Sequence, residues 1–132
     1  MCGIAGIFHL ETAKPVDPAR VQAMIDAMPH RGPDGTGVWT APGVGLGHCR
    51  LSIIDLAGGA QPMANADGSL IVTYNGEIYN FAEVRAELEA RGHQFRSHSD
   101  TEVILHAYRQ WGEGCLERFN GMFALAIWDG AR

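Results

Sequence analysis

Met1-Cys2-Gly3-Ile4-Ala5-Gly6-Ile7-Phe8 opens the chain. Residues 3 to 8 read as a short strand rich in isoleucine and phenylalanine. A buried strand has no need of a thiol at its head, and chain ends ordinarily fray. Cys2 becomes the first residue once Met1 is trimmed, and its small side chain suits that trimming. Its own α-amine, with an ordinary pKa of about 7.7–8.0, then lies a few bonds from the sulfur. A thiol beside an N-terminal amine is a nucleophile with its own general base. Gly3, lacking a side chain, lets a substrate come close.

The rest of the chain supports one domain around one core. It has 132 residues, of which 46% are hydrophobic. The formal net charge is -5 and Lys14 is the single lysine, which argues against nucleic acid or an anionic membrane as partner. No apolar run approaches the ~18–20 residues of a membrane span. No basic segment followed by an apolar one marks a secretory signal. Cys2, Cys49 and Cys115 are odd in number and lack metal-type spacing. They read as reduced thiols of a cytoplasmic protein, with Cys49 and Cys115 as small core residues.

Moving outward, Asp17-Pro18 starts a helix, with Asp17 as cap and Pro18 in its first position. Val21, Met24, Ile25 and Met28 form its apolar face, and Pro29 ends it. His30-Arg31-Gly32-Pro33-Asp34-Gly35 is turn chemistry. Residues 43–49 and 51–55 read as short strands, and 69–74 as a clear one. Asn80 opens a second helix with Glu83 as capping partner, and Gly92 stops it. Ser99 opens a third in the same arrangement with Glu102, and Gly112 stops it. Met122 to Trp128 is a continuous apolar run that predicts a strand buried on both faces. Strands at both ends with helices between give an α/β or α+β pattern.

A thiolate attacking an amide creates an oxyanion, which needs fixed donors. Tyr74-Asn75-Gly76-Glu77, at the end of a strand, offers an Asn side chain and backbone amides. Arg50 suits bidentate binding of a carboxylate, and Asp100 suits an ammonium. Each feature also has an ordinary reading. Cys2 alone is compatible with an incidental thiol, Asn75-Gly76 with a hairpin turn, and Arg50 with a surface ion pair. Asp100 alone is compatible with a helix-start residue favoured by the dipole. His30, His48 and His98 fit no metal-ligand spacing and read as structural.

Seven blocks, in order, decide between these readings. They are Met1 to Gly6, His30 to Gly35, Arg50 to Asp55, Gly59 to Pro62, Tyr74 to Asn80, Ser99 to Ile104 and Phe119 to Ala124. With them the chain resembles the N-terminal glutaminase domains of asparagine synthetases. These are class II glutamine amidotransferases of the N-terminal-nucleophile hydrolase type.

The resemblance implies an α+β fold, a four-layer αββα sandwich, truncated at its C-terminal end. Residues 1–132 would form an incomplete glutaminase domain, with the ATP-dependent synthetase domain absent. Cys2 would be the nucleophile, and Asn75 and Gly76 the oxyanion hole. Arg50 would bind the glutamine α-carboxylate, and Glu77 and Asp100 would line the α-amino side. Leu51, Ser52 and backbone groups of Ile53 and Ile54 would complete the pocket. Glutamine and water would give glutamate and ammonia through a thioester on Cys2. An internal tunnel would carry the ammonia to a C-terminal synthetase domain acting on aspartate with ATP and magnesium.

No cofactor is expected in this chain, which has no Ser-Gly-Gly-x-Asp-Ser pyrophosphate loop. The resemblance also predicts an uncovered strand edge that admits a homodimer. Cys2 argues against the β-lactam synthetases, which share the scaffold without it. Three other readings are a paralogue with another nitrogen acceptor, a glutamine-binding module without turnover, and a structural fragment that dimerises.

Overall fold

The computed structural model describes residues 2–11, 14–51 and 59–132. In chain order these form β1 (Gly3–Phe8), α1 (Pro18–Asp26), β2 (Gly35–Ala41) and β3 (Val44–Arg50). Then come β4 (Met63–Ala64), β5 (Leu70–Ile78), α2 (Phe81–Ala90) and α3 (Asp100–Trp111). A 3₁₀ segment (Gly112–Arg118) leads into β6 (Gly121–Asp129). Two three-stranded antiparallel sheets result, ordered β1-β3-β2 and β4-β5-β6.

Side-chain alternation along β3 and β5 sets the layers. On one face of β3, Gly45 and Gly47 leave room for α1. A Cβ at Gly45 would meet Val21 at 2.7 Å, and one at Gly47 would meet Ile25 at 2.9 Å. On the other face, Val44 and Leu46 pack with Ile71, Ala126 and Trp128 of the second sheet. The opposite face of β5 places Leu70, Val72 and Tyr74 against Ile104 and Leu105 of α3. Through Val84 and Leu88, α2 packs beside α3. The order is therefore helix, sheet, sheet, helices, the αββα sandwich that the resemblance implied.

Local signals account for most boundaries. Asp17 accepts the Ala19 amide at 2.9 Å, and Pro18 is the first helical residue of α1. Gly92 and Gly112, at φ 94° and 59°, follow the ends of α2 and α3. Cys49 and Cys115 are buried core residues, as expected.

Several expectations are corrected. The Asn80 side chain does not cap α2. Instead its Nδ2 donates to the Arg118 carbonyl and its Oδ1 accepts the Asn120 amide, joining α2 to the start of β6. Ser99 does cap α3, accepting the Thr101 amide, but Glu102 does not close a capping box on it. The Glu102 carboxylate reaches further back, to the amides of Arg96 and Ser97 and the Ser97 hydroxyl. Strand β6 is not buried on both faces: Met122 is 64% exposed. Among the described residues β6 pairs with β5 alone, so it lies at a sheet edge. Of the strand expected over 51–55, Leu51 has no strand structure and the remainder lies outside the described residues.

His48 links the two sheets and is 1% exposed. The Thr73 hydroxyl donates to the Gly47 carbonyl at 3.2 Å, so it accepts from His48 Nδ1 at 3.3 Å. That fixes the neutral Nδ1–H tautomer and leaves Nε2 with no partner among the described residues. Burial, then the Arg50 charge, lowers the His48 pKa from 6.5 to about 4. Between those values the unfolded chain binds the extra proton, so stability falls as pH drops through the window. At roughly 1.4 kcal/mol per pH unit, the loss from pH 7 to pH 4 is about 3 kcal/mol. Urea unfolding at both pH values should show this excess loss in the natural chain relative to His48→Gln. Equal pH dependence in the two proteins would remove His48 as its source.

Candidate active site

Three layers supply one cavity of about 250 Å³. The antiparallel register of β1 on β3 pairs Gly3 with Cys49, so Cys2 arrives beside Arg50 and Leu51. The Leu51 amide donates to Cys2 Sγ at 3.3 Å, and the thiol can donate back to the Leu51 carbonyl at 3.5 Å. Arg31 Nη2 donates to the Cys2 carbonyl at 3.2 Å, tying down the start of the chain. Arg31 comes from the turn-like His30 to Gly35 stretch. Gly32 lets that stretch close on β3, because a Cβ there would collide with the backbone of Cys49 and Arg50.

The second sheet supplies the facing wall. Asn75 and Gly76 lie in β5 opposite Ala124 and Phe123. At Gly76 φ is 157°, and a Cβ would strike the Met122 carbonyl oxygen and the Phe123 backbone. Glycine is thus demanded here by the approach of β6. Asn75 Oδ1 is buried with no hydrogen-bond partner among the described residues.

The third wall is the start of α3. Asp100, in its first turn, is 6% exposed. Its carboxylate accepts the Tyr74 hydroxyl at 2.8 Å. Burial nevertheless raises its pKa above the ordinary carboxylate value, and nearby Glu77 adds to the rise.

Cys2, Arg50, Leu51, Asn75, Gly76, Glu77 and Asp100 all line this cavity. Sequence reasoning named each of them, and the fold brings them together. Ser52, Ile53 and Ile54 lie outside the described residues, as does Met1. Gln61 and Tyr74 also line the cavity and had no assigned role in it. Gln61 accepts the Tyr74 amide on Oε1 at 2.6 Å and donates from Nε2 to the Thr101 hydroxyl at 3.3 Å, bridging β5 to α3. Tyr74 connects to α3 again through its hydroxyl. Both sit inside motif blocks, but their contacts span 13 to 40 positions and leave no local pattern.

The cavity sets a thiol, a cationic arginine and a buried carboxylate around one space, groups able to attack a carbonyl and to bind charged substituents. Comparison with known proteins agrees. A family model described as a glutamine amidotransferase domain matches residues 1–132. The chain belongs to that family.

Among relatives of this amidotransferase domain, asparagine synthetase [glutamine-hydrolyzing] 3 of Bacillus subtilis is 44% identical over 134 residues, 100% of this chain and 22% of that protein. Asparagine synthetase [glutamine-hydrolyzing] 2 of Oryza sativa is 39% identical over 129 residues, 98% of this chain and 22% of that protein. The domain thus spans about a fifth of these relatives. In structure it resembles glutamine phosphoribosylpyrophosphate amidotransferase from B. subtilis, complexed with ADP and GMP. The TM-score is 0.76 and the identity 21%, covering 96% of this chain and 35% of that one. At that identity the likeness concerns the fold alone, and it agrees with the αββα sandwich. Among the described residues no helix is long and apolar enough to cross a membrane.

Proposed function

We propose that this domain hydrolyses glutamine to glutamate and ammonia through a thioester on Cys2. The observation that carries this reading is the convergence of Cys2, its Leu51 amide donor, Asn75-Gly76, Arg50 and the buried Asp100 on one cavity. In this reading Arg50 binds the α-carboxylate, while Asp100 and Glu77 receive the α-ammonium. Leu51 lines the same cavity.

The sulfur attacks the carboxamide carbon, and its proton passes to the α-amine that removal of Met1 frees. The negative charge moves to the carbonyl oxygen, which the Asn75 side-chain amide and the Gly76 backbone amide stabilise. Collapse breaks the C–N bond; the amine returns the proton, and ammonia leaves. Water then attacks the thioester carbonyl, releasing glutamate and restoring the thiol.

In a parent protein, the ammonia would serve ATP-dependent conversion of aspartate to asparagine. The names of the relatives at 39–44% identity support that acceptor. ATP and magnesium would act there, outside this chain. Among the described residues no three or more His, Cys, Asp or Glu converge as metal ligands. No step proposed for this chain runs through either group. Asparagine formation from aspartate, ATP and glutamine by the parent tests the acceptor.

The domain's own reaction is tested by incubating the chain with a diazo-ketone analogue of glutamine and measuring intact mass. The expected result is one covalent adduct on Cys2 in protein lacking Met1, together with ammonia release from glutamine. Trimmed protein that stays unlabelled and releases no ammonia would overturn the proposal.

Arg50→Ala should raise KM for glutamine by about 100-fold, since two charged hydrogen bonds at roughly 1.5 kcal/mol each are lost. The fall in kcat should be much smaller. Steady-state kinetics of ammonia release would show this, and an unchanged KM would remove Arg50 from carboxylate binding.

A further inference from the structure

Asp100 is a buried carboxylate whose strongest charged influence is an anion, Glu77. Such a group tends to take a proton and become neutral. A neutral acid would no longer attract an ammonium. The contact that opposes this is the Tyr74 hydroxyl, which donates to Asp100 Oδ2 at 2.8 Å. Tyr74 is itself 3% exposed, and the same burial and negative charges keep its hydroxyl protonated, so it remains a donor. Gln61 fixes where that donor stands, since its side chain holds both the Tyr74 amide and the Thr101 hydroxyl beside Asp100.

We infer that Tyr74 is a positioning residue whose hydroxyl, 2.8 Å from Asp100 Oδ2, favours the charged carboxylate and aims it at the substrate ammonium, and so makes the site select α-amino acids over amides lacking the amino group. The inference rests on the glutamine reading above. Its physical content is a difference. Removing a donor to the charged form raises the carboxyl pKa, and the penalty falls on ligands carrying an ammonium. Contacts to the carboxamide and the α-carboxylate are untouched.

The test is Tyr74→Phe, which keeps the ring and removes the hydroxyl. Substrates are L-glutamine and glutaramate, the same amide without the α-amino group. For L-glutamine, KM should rise by about 10-fold or more, the scale of one hydrogen bond to a charged group. The acid limb of kcat/KM should move to higher pH. For glutaramate KM should change by less than about 2-fold. Asp100→Asn combined with Tyr74→Phe should be no worse than Asp100→Asn alone, because Tyr74 acts through that carboxylate.

Carboxyl-carbon NMR provides a readout independent of turnover: Asp100 should titrate at higher pH in Tyr74→Phe than in the natural chain. Equal losses for both substrates, or none for either, overturn the inference. A natural chain that neither binds nor hydrolyses glutamine overturns the glutamine reading. The Asp100 titration then still decides the role of Tyr74: a rise supports the coupling, and an unmoved titration refutes it.

Discussion

Cys2→Ala should abolish ammonia release from glutamine, with a fall in kcat of at least about 10³-fold, because loss of a catalytic nucleophile leaves only binding and charge stabilisation. The fold should survive. Cys2 is half-buried, precedes β1, and among the described residues its side chain hydrogen-bonds to the Leu51 backbone. Its removal should therefore cost no more than about 1 kcal/mol in urea unfolding. Those two measurements separate chemistry from structure. Substantial turnover in pure Cys2→Ala protein would show that another group carries the reaction. Cys2→Ser should also be severely impaired, since a hydroxyl is far harder to ionise than a thiol. Both variants should still bind glutamine, because Arg50 and Asp100 are intact.

Asn75→Ala should lower kcat by about 10²–10³-fold, the range seen when one oxyanion donor is removed. KM should move little, because the donor matters most when charge appears on the oxygen. The structure makes this substitution informative. Among the described residues the buried Asn75 Oδ1 has no hydrogen-bond partner, so truncation breaks no bond to that oxygen there. The neighbouring Gly76 makes a poorer target. Any Cβ at Gly76 would collide with β6, and a loss of activity would mix misfolding with missing chemistry. Ammonia release at saturating glutamine, alongside an unfolding curve, would test Asn75→Ala. An unchanged kcat would assign oxyanion stabilisation to backbone amides alone.

Much of this was legible in the sequence, and the rest was hidden for physical reasons. The helices were readable because α1 and α3 announce themselves with a cap, an apolar stripe and a terminator. Strand β2 was not, because Gly35-Thr36-Gly37 reads as turn residues and its four-residue remainder lacks strong alternation. Strand β4 has two residues, too few for any period to show. The apolar run of β6 announced a strand but not its place at an edge, which depends on neighbours. For the site, residue chemistry and motif blocks named seven groups that the fold brings to one cavity. Neither indicated Tyr74 and Gln61 as their supports, because those contacts exist only once β5 and α3 are packed. The links that Asn80 and Glu102 form in place of capping boxes were hidden for the same reason.

The cavity joins residues 2, 50, 75 and 100, drawn from two sheets and a helix. No local segment holds a nucleophile together with an oxyanion hole, so a partly folded chain is chemically silent. On the glutamine reading, a newly made chain would begin to release ammonia only after its two sheets have stacked, because residues 2 and 75 come from opposite sheets.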